Sequence, residues 1–352
     1  MRLPDPDFWR GRRVLVTGSS GFKGSWLALM LRRLGAEVTG FALSPDSGPS
    51  HFELIRLGAL IDQHIGDVRD LAQVQSVVAH CQPEIVFHLA AQALVFAGFA
   101  DPVGTYGSNV MGTVHLLEAL RQQDSTRVLI NVTTDKVYAD SSGGAHREGD
   151  RLGGQGPYSA SKACSELVTA ASSQWAAERG LGLATARCGN TLGGGDWAAN
   201  RLIPDCVRAA TSGRSLSIRC PDAVRPWQFV LDSLCGYLLL AESLFDDGST
   251  FAGAWNFAPD AGGEPRVVEL AATMLSALGA PEATVEKMVD APPETAVLRL
   301  ESSKAREALG WAPALDWRAC IEWTARWYRT WLDGGDVAAE SQRQLDSYLS
   351  GV

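Results

Sequence analysis

The sequence predicts an α/β fold in which a doubly wound parallel sheet is covered by helices on both faces. In the first half of the chain, short apolar runs alternate with segments of helical periodicity. Parallel strands need right-handed crossover connections, and these place the helices on both sides of the sheet. The alternation ends after about residue 190. We therefore expect a smaller mixed α/β lobe, assembled from several chain segments.

Six strands are predicted in the first half. They are RVLVTG (13–18), AEVTGFAL, LIDQHIGD, EIVFHLAA (84–91), RVLINVTT and GLATARCGN. The helices between them are predicted over KGSWLALMLRRLG, LAQVQSVVAHC, 103–123 and 157–178. Helix 231–244 and strand AWNFAP are expected to return to the sheet. Helix 201–212, strand SLSIR and the tail segments VVELAATMLSALG, SKAREALGW and WRACIEWTARWYRTWL are expected outside it; the apolar spacing of the last predicts packing.

The composition is that of an ordinary globular protein, with 46% hydrophobic and 20% charged residues among 352. A formal net charge of −9 argues against a general nucleic-acid binder, because phosphate backbones attract basic surfaces. The seven scattered cysteines form no CxxC pair, so we expect reduced thiols and no metal site. No signal-peptide core and no membrane span is apparent in the sequence. These features predict a soluble cytoplasmic protein.

The motif TGSSGFKG predicts a site for a dinucleotide pyrophosphate. It places Gly18, Gly21 and Gly24 between a strand and a helix, with Phe22 and Lys23 in the first helical turn. A pyrophosphate needs backbone N–H groups at a helix start, approached closely where no Cβ intervenes. Tight turns also use glycine for conformational reasons, so the strand before the motif and the helix after it carry the prediction.

The second strand lacks the acid that usually holds the adenosine ribose in such folds. It ends GFALSPD, where Asp46 comes too late in the chain. This position therefore does not distinguish NAD from NADP. Asp67, in GDV, closes the third strand, and its carboxylate can accept a hydrogen bond from an adenine amine. The alternative is that Asp67 caps the following helix.

The motif YSASK places Tyr158 and Lys162 on one face of a helix, at i and i+4. A neighbouring ammonium and a nicotinamide cation both favour the phenolate, so this tyrosine can act as a base near neutral pH. The preceding strand ends with Thr133 and Thr134, and a hydroxyl there can bond the same substrate hydroxyl. A half-exposed helix face gives the same spacing, but not this combination.

The order of the motifs resembles that of extended short-chain dehydrogenases/reductases acting on nucleotide sugars. These motifs are TGxxGFxG, GDVRD, FHLAAQ, NVMGTVHLLEA, VTTDK, YSASK, GNTLGGGDW and RPWQ, and the similarity runs from Val14 to about Trp331. The segments GFKGSWL, TTDK, GGGDWAANRLIPD and RPWQFVL are most similar to the CDP-glucose 4,6-dehydratases. The resemblance implies a Rossmann domain over 1–188 plus 225–258. It implies a nucleotide-sugar lobe over 189–224 plus 259–352.

The resemblance implies NAD as cofactor and a lyase reaction. The substrate is oxidised at C4, water leaves across C5 and C6, and the hydride returns to C6. The implied catalytic residues are Thr134, Asp135, Lys136, Tyr158 and Lys162. The implied cofactor residues are Gly18, Gly21, Phe22, Lys23, Gly24, Asp67, Val68, Leu89, Ala90 and Ala91, together with Tyr158 and Lys162.

In this family the pair after the strand divides the elimination, with Asp135 as acid and Lys136 as base. In water the two would rest as carboxylate and ammonium, the reverse of what both roles need. A closed, dry site disfavours both charges. Alternatively, Lys136 stays protonated and stabilises the enolate. Since neighbours on a strand point to opposite faces, the strand must end by Thr134 for both side chains to reach the sugar.

A substrate diphosphate is best held by guanidinium groups. The candidates for substrate binding are Arg201 and Arg225, with Asn190, Asp196 and Trp197. The alternatives are that the arginines lie on the surface and that Trp197 only packs. Loop 93–99 departs from the CDP-glucose pattern, because Phe96, Gly98 and Phe99 replace a basic and a hydroxylic contact. This departure concerns the identity of the sugar more than the type of reaction.

Three rival functions stay open in the sequence. They are a nucleotide-sugar epimerase or reductase of the same fold, a dehydratase for another nucleotide sugar, and a non-enzymatic NAD-sensing regulator. His88 and His115 are interpreted as packing residues, since no metal-ligand set accompanies them. Helices 103–123 and 157–178 carry apolar stripes beyond what one sheet face needs. In the family that the sequence resembles, such a pair forms a four-helix dimer interface, so the resemblance implies a homodimer.

Overall fold

A computed structural model describes residues 1–45, 48–139, 144–259, 264–288 and 295–352, so that Asp46 lies outside the described residues. Its strands are β1 (Arg13–Thr17), β2 (Glu37–Ala42), β3 (Asp62–Ile65), β4 (Ile85–His88), β5 (Val128–Val132), β6 (Gly182–Cys188), β7 (Thr191–Leu192), β8 (Leu216–Ile218), β9 (Gln228–Phe229), β10 (Gly253–Phe257) and β11 (Val285–Lys287).

The helices of the described ranges are α1 (Pro6–Trp9), α2 (Phe22–Arg33), α3 (His51–Leu54), α4 (Leu71–Cys81), α5 (Val95–Ala100), α6 (Pro102–Tyr106), α7 (Gly112–Arg121), α8 (Gly156–Ala171), α9 (Ser173–Glu178), α10 (Leu202–Ser212), α11 (Val230–Asp246), α12 (Gly248–Phe251), α13 (Val267–Ala277), α14 (Ser303–Leu309), α15 (Trp317–Leu332) and α16 (Val337–Leu349). None of them combines the length and apolar composition that a bilayer crossing requires.

Seven strands form one parallel sheet in the order β10-β6-β5-β4-β1-β2-β3. Strands β2 and β3 are added on one side of β1, and β4, β5 and β6 on its other side, so the strand order reverses between β1 and β4. Ligands of open α/β sheets bind beyond the carboxyl ends of the strands at such a reversal. This order confirms the predicted doubly wound sheet. The pairs β7–β9 and β8–β11 lie outside it.

Alternate residues of the central strands are buried on opposite faces of the sheet. In β5, Ile130 belongs to the cluster that contains the apolar residues of α2 and α11. Leu129 instead belongs to the cluster that contains those of α4 and α7. Because helices cover both faces, β5 is an uninterrupted buried run rather than an alternation of polar and apolar residues.

Two predicted helices differ from the structure. Helix 157–178 is broken at Ser172 into α8 and α9. Segment 103–123 stays helical but contains a π-helical turn, Gly107–Met111, between α6 and α7. In that turn Asn109 is buried, and its amide bonds both the N–H and the carbonyl oxygen of Gln92 at 2.8 and 3.0 Å. The irregular turn therefore fixes the chain that leaves β4.

The C-terminal helices cover the GGGDW segment. A Cβ on Gly194 would overlap the Trp327 indole, and the Tyr328 hydroxyl donates to the Asp196 carbonyl oxygen at 2.5 Å. Tyr328 and Ile321 are buried in α15, which confirms that its apolar spacing serves packing. Helix α16, which the sequence pattern did not predict, packs against α15 through a 2.8 Å hydrogen bond from the Trp327 indole to Ser341.

Candidate active site

The glycine loop after β1 lies against the chain that leaves β4. Gly18 has a φ of +75°, and a Cβ on it would lie 2.7 Å from the backbone nitrogen of Ala90. A Cβ on Gly24 would overlap the Gly18 carbonyl oxygen. The Leu89 N–H donates to the Thr17 carbonyl at 3.1 Å. The loop can therefore approach a ligand as closely as a pyrophosphate requires.

Helix α2 starts at this loop without a side-chain cap, so its first N–H groups are available to an anion. The structure thus brings together at one strand edge the predicted cofactor residues Gly18, Gly21, Phe22, Lys23, Gly24, Leu89, Ala90 and Ala91. This cradle fits a dinucleotide.

The third strand end places Asp67 beside Arg69, whose side chain donates to the carboxylate at 2.8 Å and holds the pKa of Asp67 below its usual value. Helix α4 is capped by Asp70. The alternative interpretation of Asp67 as the helix cap is therefore wrong. The neighbouring Val68 carbonyl oxygen accepts a hydrogen bond from His115 at 2.9 Å.

His88 is buried at the end of β4, where its Nδ1 and the Thr17 hydroxyl lie 2.7 Å apart. Burial lowers the pKa of His88 to about 3, and the Lys162 ammonium acts in the same direction. A neutral, hydrogen-bonded imidazole of this kind is a packing residue, as the sequence indicated.

Strand β5 ends at Val132, early enough for both members of the acid–base pair to face one side. Thr134 caps a 3-10 turn over Asp135–Val137. This turn brings the Lys136 ammonium to 3.5 Å from the Asp135 carboxylate. The Thr134 hydroxyl donates to Asp135 Oδ1 at 2.9 Å, while buried Oδ2 has no hydrogen-bond partner among the described residues. An orphaned carboxylate oxygen is a ready partner for a substrate hydroxyl.

The neighbouring threonines point in opposite directions. The Thr133 hydroxyl donates to the buried carboxylate of Glu166. Arg187 donates to both oxygens of this carboxylate at 2.9 and 2.8 Å, and the Thr185 hydroxyl donates to one at 2.7 Å. Of the two hydroxyls predicted at this strand end, that of Thr134 acts to lower the pKa of Tyr158, while that of Thr133 is bonded to Glu166.

Tyr158 and Lys162 lie on α8 against the end of β5. Burial raises the pKa of Tyr158 to about 12, against the Thr134 hydrogen bond and the Arg201 charge, which lower it. Burial lowers the pKa of Lys162 to about 8, and the nearby Lys23 ammonium adds to this effect. The Lys162 ammonium donates to the Val132 carbonyl oxygen at 2.9 Å. The phenol is thus neutral here, and further positive charge is needed to make it a base.

Cys188, at the end of β6, was missed in the sequence. The Lys23 ammonium lies 2.6 Å from its buried sulfur, and the Tyr237 hydroxyl lies 3.1 Å from it. Burial acts to raise the pKa of Cys188, but the Lys23 charge and the hydrogen bonds of Lys23, Tyr237 and Thr191 together outweigh burial, so the pKa is lowered. A lone cysteine gives no spacing pattern. The available signal was its position at a strand end that leads to the site.

Three of the predicted substrate residues lie beside the catalytic groups. The Asn190 amide oxygen accepts from Lys136 at 3.5 Å. Arg201 is paired with Asp196 at 3.0 Å, and its charge reaches Tyr158. These contacts place polar and cationic groups around the space that Tyr158 and Lys136 share.

The other two predicted substrate residues have structural contacts. Arg225 is buried and donates to the carbonyl oxygens of Val224 and Thr295 at 2.8 and 2.6 Å, so it is not a surface arginine. Trp197 packs against Trp331, with ring centroids 4.5 Å apart. Both residues join the GGGDW and RPWQ segments to the C-terminal part of the chain.

Loop 93–99 is largely helix α5, and it meets both Tyr158 and the lobe. A Cβ on Gly98 would lie 3.2 Å from the backbone nitrogen of Tyr158, so only a small residue packs there without displacement. The guanidinium of Arg219 lies over the Phe96 ring at 5.1 Å from its centroid. Arg219 of the smaller lobe therefore stacks on loop 93–99, which lacks the basic residue of the CDP-glucose pattern. Sequence reasoning did not find Arg219.

The fold and this site define a short-chain dehydrogenase/reductase of the extended type. A family model described as GDP-mannose 4,6 dehydratase matches residues 15–324. The chain belongs to this family. It is 40% identical over 355 residues to the CDP-glucose 4,6-dehydratase of Salmonella typhimurium, covering 99% of both chains.

Solved structures agree with this assignment. The dTDP-glucose 4,6-dehydratase DesIV from Streptomyces venezuelae, solved with NAD bound, superposes with a TM-score of 0.80 at 26% identity, covering 93% of this chain and 99% of that one. A UDP-glucose 4-epimerase from Thermotoga maritima superposes with a TM-score of 0.77 at 22% identity, covering 91% and 99% of the two chains. The latter similarity concerns the fold alone.

Proposed function

We propose that the protein is an NAD-dependent hydro-lyase that converts CDP-glucose to CDP-4-keto-6-deoxyglucose. The observation that carries this proposal is the meeting of two sets of groups at one strand end. Tyr158 and Thr134 supply the groups for oxidation at C4, and Asp135 with Lys136 supplies those for elimination. The full-length similarity to a CDP-glucose 4,6-dehydratase supports the choice of nucleotide and sugar.

The first half of the reaction is a proton removal at the C4 hydroxyl. The loop of Gly18, Gly21 and Gly24 after β1 would hold NAD, which would supply the hydride acceptor for C4 and the hydride donor for C6. Tyr158 removes the hydroxyl proton, and the Thr134 hydroxyl, which acts to lower the pKa of Tyr158, is proposed to hold the same oxygen. Lys162 stands behind Tyr158, anchored on the Val132 carbonyl oxygen. Its ammonium and the positive nicotinamide ring both favour the phenolate that the reaction needs.

The second half is the loss of water. The C4 ketone acidifies the C5 hydrogen, which Lys136 removes, and Asp135 protonates the C6 hydroxyl as it leaves. Lys136 then returns a proton to C5 when C6 is reduced. Asp135 is almost fully buried, while the Lys136 side chain is 23% exposed. A proton on the ammonium can therefore exchange with solvent while the acid is sheltered. Each proton transfer by a positioned group is worth about 10²- to 10⁴-fold in rate.

The resting ion pair must be rearranged before both groups can act. Its 3.5 Å separation is longer than a strong charge-assisted hydrogen bond, and Asn190 shares the ammonium at the same distance. A sugar ring placed between the two side chains displaces this weak contact. Desolvation by the sugar then favours the neutral acid and the neutral amine. The alternative role of Lys136 is to stay protonated and stabilise the enolate.

The substrate nucleotide is assigned to the smaller lobe, 189–224 plus 259–352, facing the dinucleotide domain, 1–188 plus 225–258. Arg201 and Arg219 are proposed to hold the diphosphate, while Arg225 shapes the pocket through its contacts with carbonyl oxygens. Asn190, Asp196 and Trp197 line the same side. Asp67 and Val68 are assigned to the adenine end of NAD.

A homodimer in the cytoplasm is part of this proposal. Large apolar side chains are exposed along α5 to α8, with Val103 83%, Leu167 59%, Phe99 50%, Met111 46% and Tyr106 38% exposed. Grouped apolar exposure of this kind is typical of an interaction surface. Two copies of α6–α7 and α8 paired through it make the predicted four-helix bundle.

Mass spectrometry of the product tests the reaction class. Purified protein is incubated with CDP-glucose, dTDP-glucose, UDP-glucose and GDP-mannose in parallel. We expect loss of one water from CDP-glucose and much slower conversion of the others. An unchanged mass with an altered sugar isomer indicates an epimerase, and a gain of two hydrogens indicates a reductase. Bound NAD with no turnover of any sugar nucleotide supports a regulator and contradicts the proposal.

A further inference from the structure

Three side chains with metal-ligating atoms converge at the sheet edge. They are Asp62 and His64 on β3 and His80 in the last turn of α4. Nε2 of His64 and Nε2 of His80 lie 3.2 and 3.0 Å from the same carboxylate oxygen, Oδ2 of Asp62. One ligand atom from each residue lies within 4.8 Å of the others. No step of the dehydratase reaction uses these groups.

The secondary structure fixes this arrangement. Asp62 and His64 are two residues apart on one strand, so their side chains share a face. Strand β3 is the edge of the sheet, and within the described residues it pairs with β2 alone. Asp62 is the first residue of β3, so this end of the sheet is opposite the strand ends that build the active site.

We propose that Asp62, His64 and His80 form a binding site for a divalent cation of the zinc class. Two imidazoles and a carboxylate are ligands that zinc takes, with water completing a tetrahedron. Zinc–ligand bonds of about 2.1 Å in a tetrahedron place neighbouring ligand atoms about 3.4 Å apart. The two distances from the imidazole Nε2 atoms to Asp62 Oδ2 are slightly shorter than this, so a small adjustment of the exposed side chains admits the ion.

The bound ion acts as a clamp on the edge strand. It links β3, which has few other attachments, to the end of α4, and this helix packs on the sheet through Val74, Val77 and Val78. The three side chains are between one third and three fifths exposed, so the ion enters from solvent without any opening of the fold. Binding therefore stabilises the native state by an amount that grows with the logarithm of the ion concentration.

The competing interpretation is a hydrogen-bonded cluster without metal. In that case each imidazole N–H donates a hydrogen bond to the shared Asp62 oxygen, and the contacts only order these surface side chains. Free thiols are a second source of zinc binding, because Cys81 follows His80 directly and is not paired. The experiment must separate these sources.

The test uses full-length protein freed of metal by a chelator and then titrated with ZnCl₂ by calorimetry and thermal unfolding. We expect saturable binding of one zinc per chain by calorimetry and a Tm that rises with the zinc concentration. Both should be lost in His80→Gln and in Asp62→Asn and retained in Cys81→Ser. His115→Gln is the matched control for removal of a histidine elsewhere. Activity with CDP-glucose should be unchanged in the cluster variants, so this test is independent of the proposed reaction.

Three results would overturn the site. The first is zinc binding that His80→Gln and Asp62→Asn leave intact. The second is binding that disappears in Cys81→Ser. The third is a wild-type protein that binds no zinc. If His80→Gln has a lower Tm before any metal is added, Asp62→Asn, judged by the zinc-dependent change in Tm, decides the question.

Discussion

The two sides of the β5 end contrast in how their polar groups are satisfied. Behind the strand, Thr133 and Arg187 meet the carboxylate of Glu166, and both of its oxygens are bonded. In front, one oxygen of Asp135 lacks a partner among the described residues, and Lys136 makes only 3.5 Å contacts. Both carboxylates are buried to a similar degree.

This difference separates support from chemistry. A buried carboxylate with full hydrogen bonding is held in one place, and losing a partner is costly. A buried carboxylate with spare bonding capacity can exchange a proton with a bound substrate. The rear cluster therefore fixes α8 against β5 and β6, and the front groups act on the sugar. Front variants should therefore slow the reaction with little change in stability, and rear variants should lower the stability with little change in rate.

The largest expected effect is on the front. Asp135→Asn removes the acid while it keeps the shape of the side chain, so dehydration should slow by about 10²- to 10⁴-fold. The free energy of unfolding should change little, because the Thr134 hydroxyl can still donate to the amide oxygen. Product formation by mass spectrometry and urea unfolding measure the two effects. Asp150→Asn, at an exposed position, is the control, and a rate within twofold of wild type contradicts the role.

The next effect is on the rear. Glu166→Gln leaves Arg187 buried without its ion-pair partner, so the free energy of unfolding should fall by about 3–5 kcal/mol. Urea denaturation with Glu178→Gln as the exposed control measures this loss. A stability close to wild type would show that the rear cluster does not hold the strands together.

A smaller effect is expected on substrate binding. Arg219→Ala removes a cation that stacks on Phe96 and is proposed to meet the diphosphate. A charge-assisted hydrogen bond is worth about 1.5–3 kcal/mol, so KM should rise by roughly tenfold or more while kcat stays close to wild type. Arg214→Ala, an exposed arginine of the same segment, is the control. A fall in kcat with an unchanged KM contradicts the binding role.

The smallest effects are expected for Thr133 and Thr134, and these neighbours compare the two sides of the β5 end most directly. Thr133→Val removes one rear hydrogen bond and should cost about 1–2 kcal/mol of stability with little loss of rate. Thr134→Val should lower the rate of C4 oxidation with less effect on stability. Measuring both quantities for both variants checks the assignment, and equal behaviour of the two variants refutes it.

Much of this fold could be predicted from apolar periodicity, since α4 and α15 match their predicted segments and the parallel sheet follows from the alternation of strands and helices. The site residues on motifs, such as Tyr158 and Lys162, were found because spacing marks them. Arg219 and Cys188 were missed because each is a single residue brought to the site by tertiary structure.

Other features depended on choices between neighbours that the sequence leaves open. Asp67 was predicted either to contact the adenine or to cap α4, and the structure gives the cap to Asp70, which was not considered from the sequence. The break at Ser172 leaves no strong signal, because apolar residues continue through it. The proposed zinc ligands Asp62, His64 and His80 lie on a strand and a helix, so no short spacing in the sequence reveals them.

Lys136 is proposed to remove the C5 proton, and hydrogen exchange at C5 tests this role most directly. Lys136→Met is incubated with CDP-glucose in deuterated water. Reduced cofactor is followed by absorbance and deuterium at C5 by mass spectrometry. We predict that C4 oxidation persists while C5 exchange collapses by about 10²-fold or more. Exchange at the wild-type rate would contradict this role, and Lys136 would then only stabilise the charge of the enolate.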